Sequence, residues 1–275
     1  MKIWHRFTFS HKDDVETTFL AWNIKFKKNP TLRNGYTLHI EIAETDDEYA
    51  KIAEVAKAKH ALDIFSTAFT QEEILNAEWV RLCPGFEQGY PEPFDTGEWK
   101  EVTYSNVCPK CGAGLIQYAP FRIKKEPKLG SRHFVCLYAT YELLCLLPIA
   151  QEMRQLGVKS LDFITPIILK SKEPSNVVTQ WKVLETLPPS LENEVSFTVC
   201  MICGERKYVP HSRGYMTFKK DVLNGFDGKL DVIQTYEWFG SGHAAYRETL
   251  ISNRLAQFFL QRKWKGAVLE PVKLV

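Results

Sequence analysis

Ile3 to Phe9 alternates apolar and polar side chains well enough for a strand. Tyr36, Leu38, Ile40 and Ile42 alternate with Thr37, His39 and Glu41, predicting a second strand with one buried face. His39 falls on the polar face, where an exposed histidine is expected rather than a ligand. The period then changes. Thr45-Asp46-Asp47-Glu48 reads as a capping box whose acidic residues complement a helix N-terminus. Tyr49, Ile52, Ala53 and Ala56 follow at helical spacing, predicting a helix to about Lys59. Beyond the apolar stretch at Ile64-Phe65, Thr70 with Glu73 forms a second capping box, opening a short helix through Ala77, and Trp79 to Leu82 reads as a strand.

Between Pro84 and Gly97 the chain is rich in Gly, Pro and aromatics, which makes this stretch the candidate boundary. It separates an N-terminal α/β region, residues 1–93, from a region of residues 94–275. An ordered loop packed by its aromatics is the competing reading. Tyr141 to Leu156 predicts a helix that Pro148 either bends or opens, with Gly157 as C-cap and a buried strand at Leu161 to Leu169. Asn176 to Leu184 is a further strand that Pro188-Pro189 stops. Leu230 to Phe239 reads as a strand, and Ser241 is expected to cap a helix from about His243 to Lys263. Its core face would be Ile251, Leu255, Phe258 and Phe259, with Gly266 at its end and a closing strand from Val268 to Leu274. The fold class expected is α+β, with mixed and antiparallel sheets.

A chain of 275 residues with 45% hydrophobic content can bury one large core or two modest ones. The net charge of +2 does not call for a polyanionic partner, so nucleic acid is not the expected one. The start, Met1-Lys2-Ile3-Trp4-His5-Arg6, lacks a signal-peptide apolar region, and no apolar run reaches the roughly 18 residues of a membrane span. A reducing cytoplasm is therefore the expected location, with no membrane association.

That expectation bears on the seven cysteines. Four fall in two copies of one turn, Cys108-Pro109-Lys110-Cys111-Gly112 and Cys200-Met201-Ile202-Cys203-Gly204. Two intervening residues let the chain curl so that both sulfurs lie about 2.3 Å from one ion, and four thiolates in two such pairs are the usual ligands of structural Zn2+. The glycine permits the backbone conformation that ends the turn. Strand-like residues flank the turns, at Val102-Thr103-Tyr104, Leu115 to Tyr118 and Val195 to Val199, which is the layout of a zinc ribbon. The expected metal ligands are Cys108, Cys111, Cys200 and Cys203. The pairs are much further apart than the roughly 15–20 residues of a compact ribbon, so the ribbon is split by an insertion or each pair acts alone. A redox dithiol is the competing reading; it would place one such motif after a strand in a βαβ unit. Each half runs Cys-x-x-Cys-Gly, hairpin, helix, glycine, strand, suggesting an internal pseudo-duplication in which each half donates two thiolates to a shared metal. Cys136 and Cys145 sit in apolar runs and read as buried inert thiols; Cys83, before Pro84 and Gly85, reads as an unpaired surface thiol.

Two other stretches bear on chemistry. Gly240-Ser241-Gly242-His243 could hold an anion at a helix start, although an ordinary N-cap is the preferred reading. Arg122, Lys124, Lys125 and Lys128 follow Tyr118 and Phe121, a pattern that could contact phosphate and stack on a base; a solvated hairpin tip is preferred. There is no nucleophile elbow, phosphate loop, His-Glu-x-x-His helix or dinucleotide fingerprint, so an enzyme is not expected.

The two Cys-x-x-Cys-Gly motifs, with the closing segment from Leu250 through Leu255 and Lys265 through Val272, resemble the double-CXXCG motif proteins of bacteria. The resemblance covers roughly residues 100–275. Some members of that family are immunity partners of polymorphic toxins, so it implies a zinc-stabilised, non-enzymatic protein that binds and blocks a toxin.

Overall fold

In a computed structural model, which describes residues 1–32, 35–192 and 195–275, the chain forms two compact units. The first comprises Met1–Thr70 with Ser212–Gly214, the second Gln71–His211 with Tyr215–Val275. The first unit runs β1 (Lys2–Ser10), α1 (Glu16–Ala21), β2 (Lys27–Pro30), β3 (Tyr36–Ala43), α2 (Tyr49–Ala58) and β4 (Leu62–Ala68). Its antiparallel sheet has the order β2-β3-β1-β4. The predicted alternation holds: Phe7 and Phe9 on β1 and Leu38, Ile40 and Ile42 on β3 are buried, and Phe19, Ile52 and Ala56 from the helices close the core. The capping box at 45–48 does not form. Glu48 occupies the N-cap without a side-chain bond, while Asp46 turns back to accept from the Ala43 N–H at 3.1 Å. His39 is half-buried and bonded to Thr37 and Thr8.

The second unit begins with α3 (Gln71–Asn76) and β5 (Trp79–Pro84). The 84–97 stretch therefore lies inside this unit, and it packs as a loop through Phe86 and Phe94 instead of dividing domains. Then follow β6 (Tyr104–Ser105), β7 (Ile116–Gln117), β8 (Arg122–Ile123), β9 (Phe134–Cys136), β10 (Leu143–Leu146), α4 (Leu147–Gln155), β11 (Leu161–Ile164) and β12 (Ile167–Ile168). The second half repeats the series: β13 (Val178–Val183), β14 (Phe197–Val199), β15 (Arg206–Tyr208), β16 (Thr217–Phe218), α5 (Lys220–Asn224), β17 (Val232–Gln234), β18 (Trp238–Phe239), β19 (Thr249–Ser252), α6 (Asn253–Gln261), β20 (Ala267–Pro271) and β21 (Lys273–Leu274).

The two halves are structural repeats, and they exchange their first strands. One antiparallel sheet has the order β11-β13-β10-β9, the other β20-β5-β19-β17. Strand β13 of the second half thus lies inside the first half's sheet, and β5 of the first half lies inside the second's. Registers coincide: Leu144 faces Gln180 and Val135 as Leu250 faces Arg81 and Ile233. The helices agree as well, burying Ile149, Ala150 and Met153 on α4 and Leu255, Ala256 and Phe259 on α6. Even the short parallel pairs β8 with β12 and β16 with β21 recur.

Two predicted helices begin later than their apolar patterns suggest. Leu143 to Cys145 is buried between β9 and β13, and Leu250 and Ile251 between β17 and β5, so each run is a two-faced buried strand before the chain turns into a helix. Pro148 falls in the first turn of α4, where its missing N–H costs nothing. Ser252, rather than Ser241, caps α6 by accepting from the Leu255 N–H. The strand expected over Leu161 to Leu169 breaks at Thr165-Pro166, and that over Leu230 to Phe239 breaks between β17 and β18.

Asp231 secures this half. Its carboxylate accepts from Lys159 N at 2.9 Å, Ser252 Oγ at 2.8 Å and Arg254 Nη2 at 2.5 Å. Burial opposes ionisation, but the Arg254 bond and its companions hold the carboxyl below the usual carboxylate range. A depressed folded-state pKa adds stability above the unfolded value, about 3.9, and the gain is lost as pH falls through the folded one. Asp231→Ala is expected to cost about 2 kcal/mol at neutral pH, with the deficit shrinking below about pH 4 in urea titrations.

Candidate metal centre

Each cysteine turn sits at the end of a short hairpin, β6 with β7 and β14 with β15. Cys108 N–H bonds Ala113 O and Gly112 N–H bonds Cys108 O, both at 2.9 Å; Cys200 with Glu205 and Gly204 with Cys200 repeat the pattern at the same lengths. Gly112 and Gly204 adopt φ of +76° and +75°, the left-handed conformation that closes the turn. The fold brings the two hairpins together, and the four Sγ atoms lie within 4.8 Å of one another. Cys108 and Cys200 are 3.7 Å apart at sulfur, and Cys111 and Cys203 are 3.6 Å apart. Metal–sulfur bonds of about 2.3 Å in a tetrahedron imply sulfur–sulfur edges of about 3.8 Å, so this set can hold a metal ion. A disulfide would need about 2.05 Å, and all four thiols are free.

Backbone amides prepare the first thiol of each pair. The N–H groups of Cys111 and Lys110 lower the Cys108 pKa, and those of Cys203 and Ile202 pull Cys200 down to about 6. Burial pushes Cys111 up to about 12. Cys108, Cys111 and Cys200 are buried, whereas Cys203 is exposed.

Two buried lysines flank the cluster. Lys207 Nζ donates to Cys111 O at 3.0 Å, Ala244 O at 3.2 Å and Gly242 O. Lys100 Nζ donates to His243 O at 2.6 Å and to His243 Nδ1 at 2.9 Å, which makes Nδ1 the acceptor. Burial, then Lys100, lowers the His243 pKa, and burial likewise lowers that of Lys100. Among the described residues neither ammonium has a carboxylate within ion-pairing distance. Nothing in their sequence neighbourhood marks them, because their partners are carbonyls from distant loops.

The Gly240-Ser241-Gly242-His243 segment opens no helix, and its Gly242 and His243 carbonyls accept from Lys207 and Lys100. It belongs to the long connection between β17 and β19, residues 235–248, where the first half has only residues 137–142 between β9 and β10. The extra chain contributes β18, pairs it with β15, and lays His243 over the first cysteine turn. Cys136 and Cys145 are fully buried thiols pushed up to about 12 by burial, as expected. Cys83 is also buried with a raised pKa, not a surface thiol, because β5 runs through Pro84 between β19 and β20. The basic side chains Arg122, Lys124, Lys125 and Lys128 are exposed as read, but Phe121 is core and cannot stack on a ligand.

Fold and site together define an α+β protein whose second unit is built of two interlocked repeats with a four-cysteine cluster able to hold a metal ion. No protein-family model, characterised protein or solved structure matches the chain. No helix among the described residues is long and apolar enough to cross a membrane.

Proposed function

We propose that this chain is a zinc-stabilised, non-enzymatic binding protein whose partner is another protein, a cognate toxin on the reading that the double-CXXCG resemblance implies. The observation that carries the zinc assignment is the convergence of four sulfurs at tetrahedral edge lengths beside two buried ammonium groups that lack carboxylate partners among the described residues. Four thiolates around one divalent cation leave two negative charges, which Lys100 and Lys207 offset in a low-dielectric setting. All four positions are protein sulfurs, leaving no open position for a substrate, which favours a structural over a catalytic ion. Cys108, Cys111, Cys200 and Cys203 would hold the ion, and its role would be to lock the two hairpins together.

The second cysteine turn supports the protein-partner reading. Met201 is 94% exposed and Ile202 64%, beside the exposed Phe197 and Val199 of β14, the edge strand of its sheet. Such an apolar tip on a rigid turn suits a protein interface. Two measurements test the proposal. Purified protein should contain one zinc per chain, and Lys207→Met should weaken zinc binding by about 10–100-fold, as loss of a supporting group around a metal does. Co-expression with the product of the neighbouring gene should relieve that product's toxicity, and Met201→Asp with Ile202→Asp should abolish relief while leaving zinc content unchanged. Absence of zinc would overturn the scaffold; a harmless neighbour and no complex with it would overturn the immunity reading.

A further inference from the structure

The geometry points to a nucleotide-binding groove between the 88–95 and 123–128 loops, with a base stacked on Tyr90 and phosphate held by Lys124, Lys125 and Lys128. The groove encloses about 640 Å³. Its two loops are tied together by the Pro91–Ile123 bridge, by Glu92 N–H to Arg122 O at 2.8 Å and by Lys128 N–H to Gln88 Oε1 at 2.5 Å. Leu137 and Ile123 form an apolar floor. Tyr90, 45% exposed, lies 4.3 Å from the Phe94 ring and 5.0 Å from that of Tyr138, itself 40% exposed. These rings make an aromatic wall of the kind on which bases stack. This wall is not the Tyr118 and Phe121 pair that the sequence puts next to the lysines, and it comes from a different loop.

The internal repeat supplies the comparison that makes the lysines informative. The second half ties its equivalent loops in the same way, through the Leu191–Phe218 bridge and Glu192 N–H to Thr217 O. There Lys219 and Lys220, the counterparts of Lys124 and Lys125, are closed on Glu192 at 3.4 Å and Glu78 at 3.3 Å. In the first half those pairings are lost. Glu92, the counterpart of Glu192, turns its carboxylate to the Phe94 N–H, and Val177 stands where the second half has Glu78. Glu126 is likewise spent on Ser175 Oγ at 2.7 Å and Asn176 N–H at 3.0 Å. Lys124, Lys125 and Lys128 are therefore exposed without a carboxylate partner among the described residues, facing an open aromatic groove. Asp95 is the remaining lining carboxylate, suited to accept from a base N–H or a sugar hydroxyl.

The ligand chemistry is an aromatic base joined to phosphate, carried either by a free nucleotide or by a single strand. The test uses the full zinc-loaded chain and measures binding of a labelled oligothymidylate by anisotropy and of thymidine monophosphate by calorimetry. Tighter binding of the oligomer than of the monophosphate would assign a single strand, and equal affinity a free nucleotide. Lys124→Gln with Lys125→Gln and Lys128→Gln should lower the salt slope of oligomer binding by about 2, and Tyr90→Ala should weaken binding about tenfold. Lys219→Gln with Lys220→Gln should leave binding unchanged. No binding of either probe at low salt, an unaffected Tyr90→Ala, or equal losses from the second-half lysines would overturn the proposal. Zinc content should be unaffected in all these variants, whose residues are not among the four cysteines, so failure here is distinguishable from failure of the scaffold reading.

Discussion

Cys108→Ser is expected to remove the metal and destabilise the second unit, lowering its melting temperature by more than about 10 °C in a calorimetric scan. Structural zinc contributes on the order of 10 kcal/mol to folding in small domains, and each kcal/mol moves a domain of this size by about 2–4 °C. The effect should not depend on which pair is hit. Cys108 and Cys200 belong to different halves and lie 3.7 Å apart at sulfur, so Cys200→Ser should reproduce the result, including loss of metal binding. A redox pair acting alone behaves differently: removing Cys200 would leave the Cys108 and Cys111 pair with its chemistry intact. The first unit contains none of the four ligands, so its transition should survive both substitutions. Equal stability of Cys108→Ser and the parent chain would sink the metal assignment.

The second large effect separates two glycines that look identical in the sequence. A Cβ on Gly112 would lie 2.2 Å from His243 O and 3.1 Å from its carbonyl carbon, both backbone atoms that cannot swing aside. A Cβ on Gly204 meets nothing within 4 Å. Both residues are left-handed, a cost of about 1–2 kcal/mol for alanine. Gly204→Ala should therefore cost about 1 kcal/mol, whereas Gly112→Ala adds displacement of the 240–244 turn and should cost about 3 kcal/mol or more. Displacing that turn also disturbs the carbonyls that hold Lys100 and Lys207, so metal affinity should fall with stability in Gly112→Ala alone. Urea titration with metal analysis of the two variants gives the comparison directly; similar losses from both would show that the turn does not brace the first pair.

The interlocked repeat also accounts for the long separation between the cysteine pairs. The chain between them is not a single inserted domain. It finishes the first repeat through β9, β10, α4, β11 and β12, then begins the second with β13. Because β13 pairs with β10 and β11, the first sheet is complete only when the second half is present, and β5 imposes the same dependence on the second sheet. A metal bound by two thiolates from each half would close the same relation a third time. The departures from symmetry cluster where function is proposed: the longer 235–248 connection covers one cysteine turn, the other turn stays open with Met201 and Ile202 exposed, and Lys124 and Lys125 have no carboxylate partner among the described residues where Lys219 and Lys220 do.

Much of this is written in local order. Alternation along Lys2–Ser10 and Tyr36–Ala43 sets those strands, because one buried face suffices to orient them. The four metal-ligating candidates follow from spacing alone, since a Cys-x-x-Cys-Gly turn brings its own two sulfurs together whatever surrounds it. The common order of elements in the two halves could be read from the same patterns. Other features depended on distant partners. Leu143 to Cys145 and Leu250 with Ile251 are apolar on both faces, a pattern shared by buried strands and buried helices, and only pairing with β13 and β5 decides between them. Cys83 is buried because β5 is an inner strand between β19 and β20, Ser252 rather than Ser241 caps α6 because the 235–248 connection folds onto the cysteines, and Lys100 and Lys207 become counter-charges because carbonyls from other loops converge on them. Local spacing determines which groups a turn can present; burial and charge compensation are properties of the packed whole, and only the tertiary structure decides them.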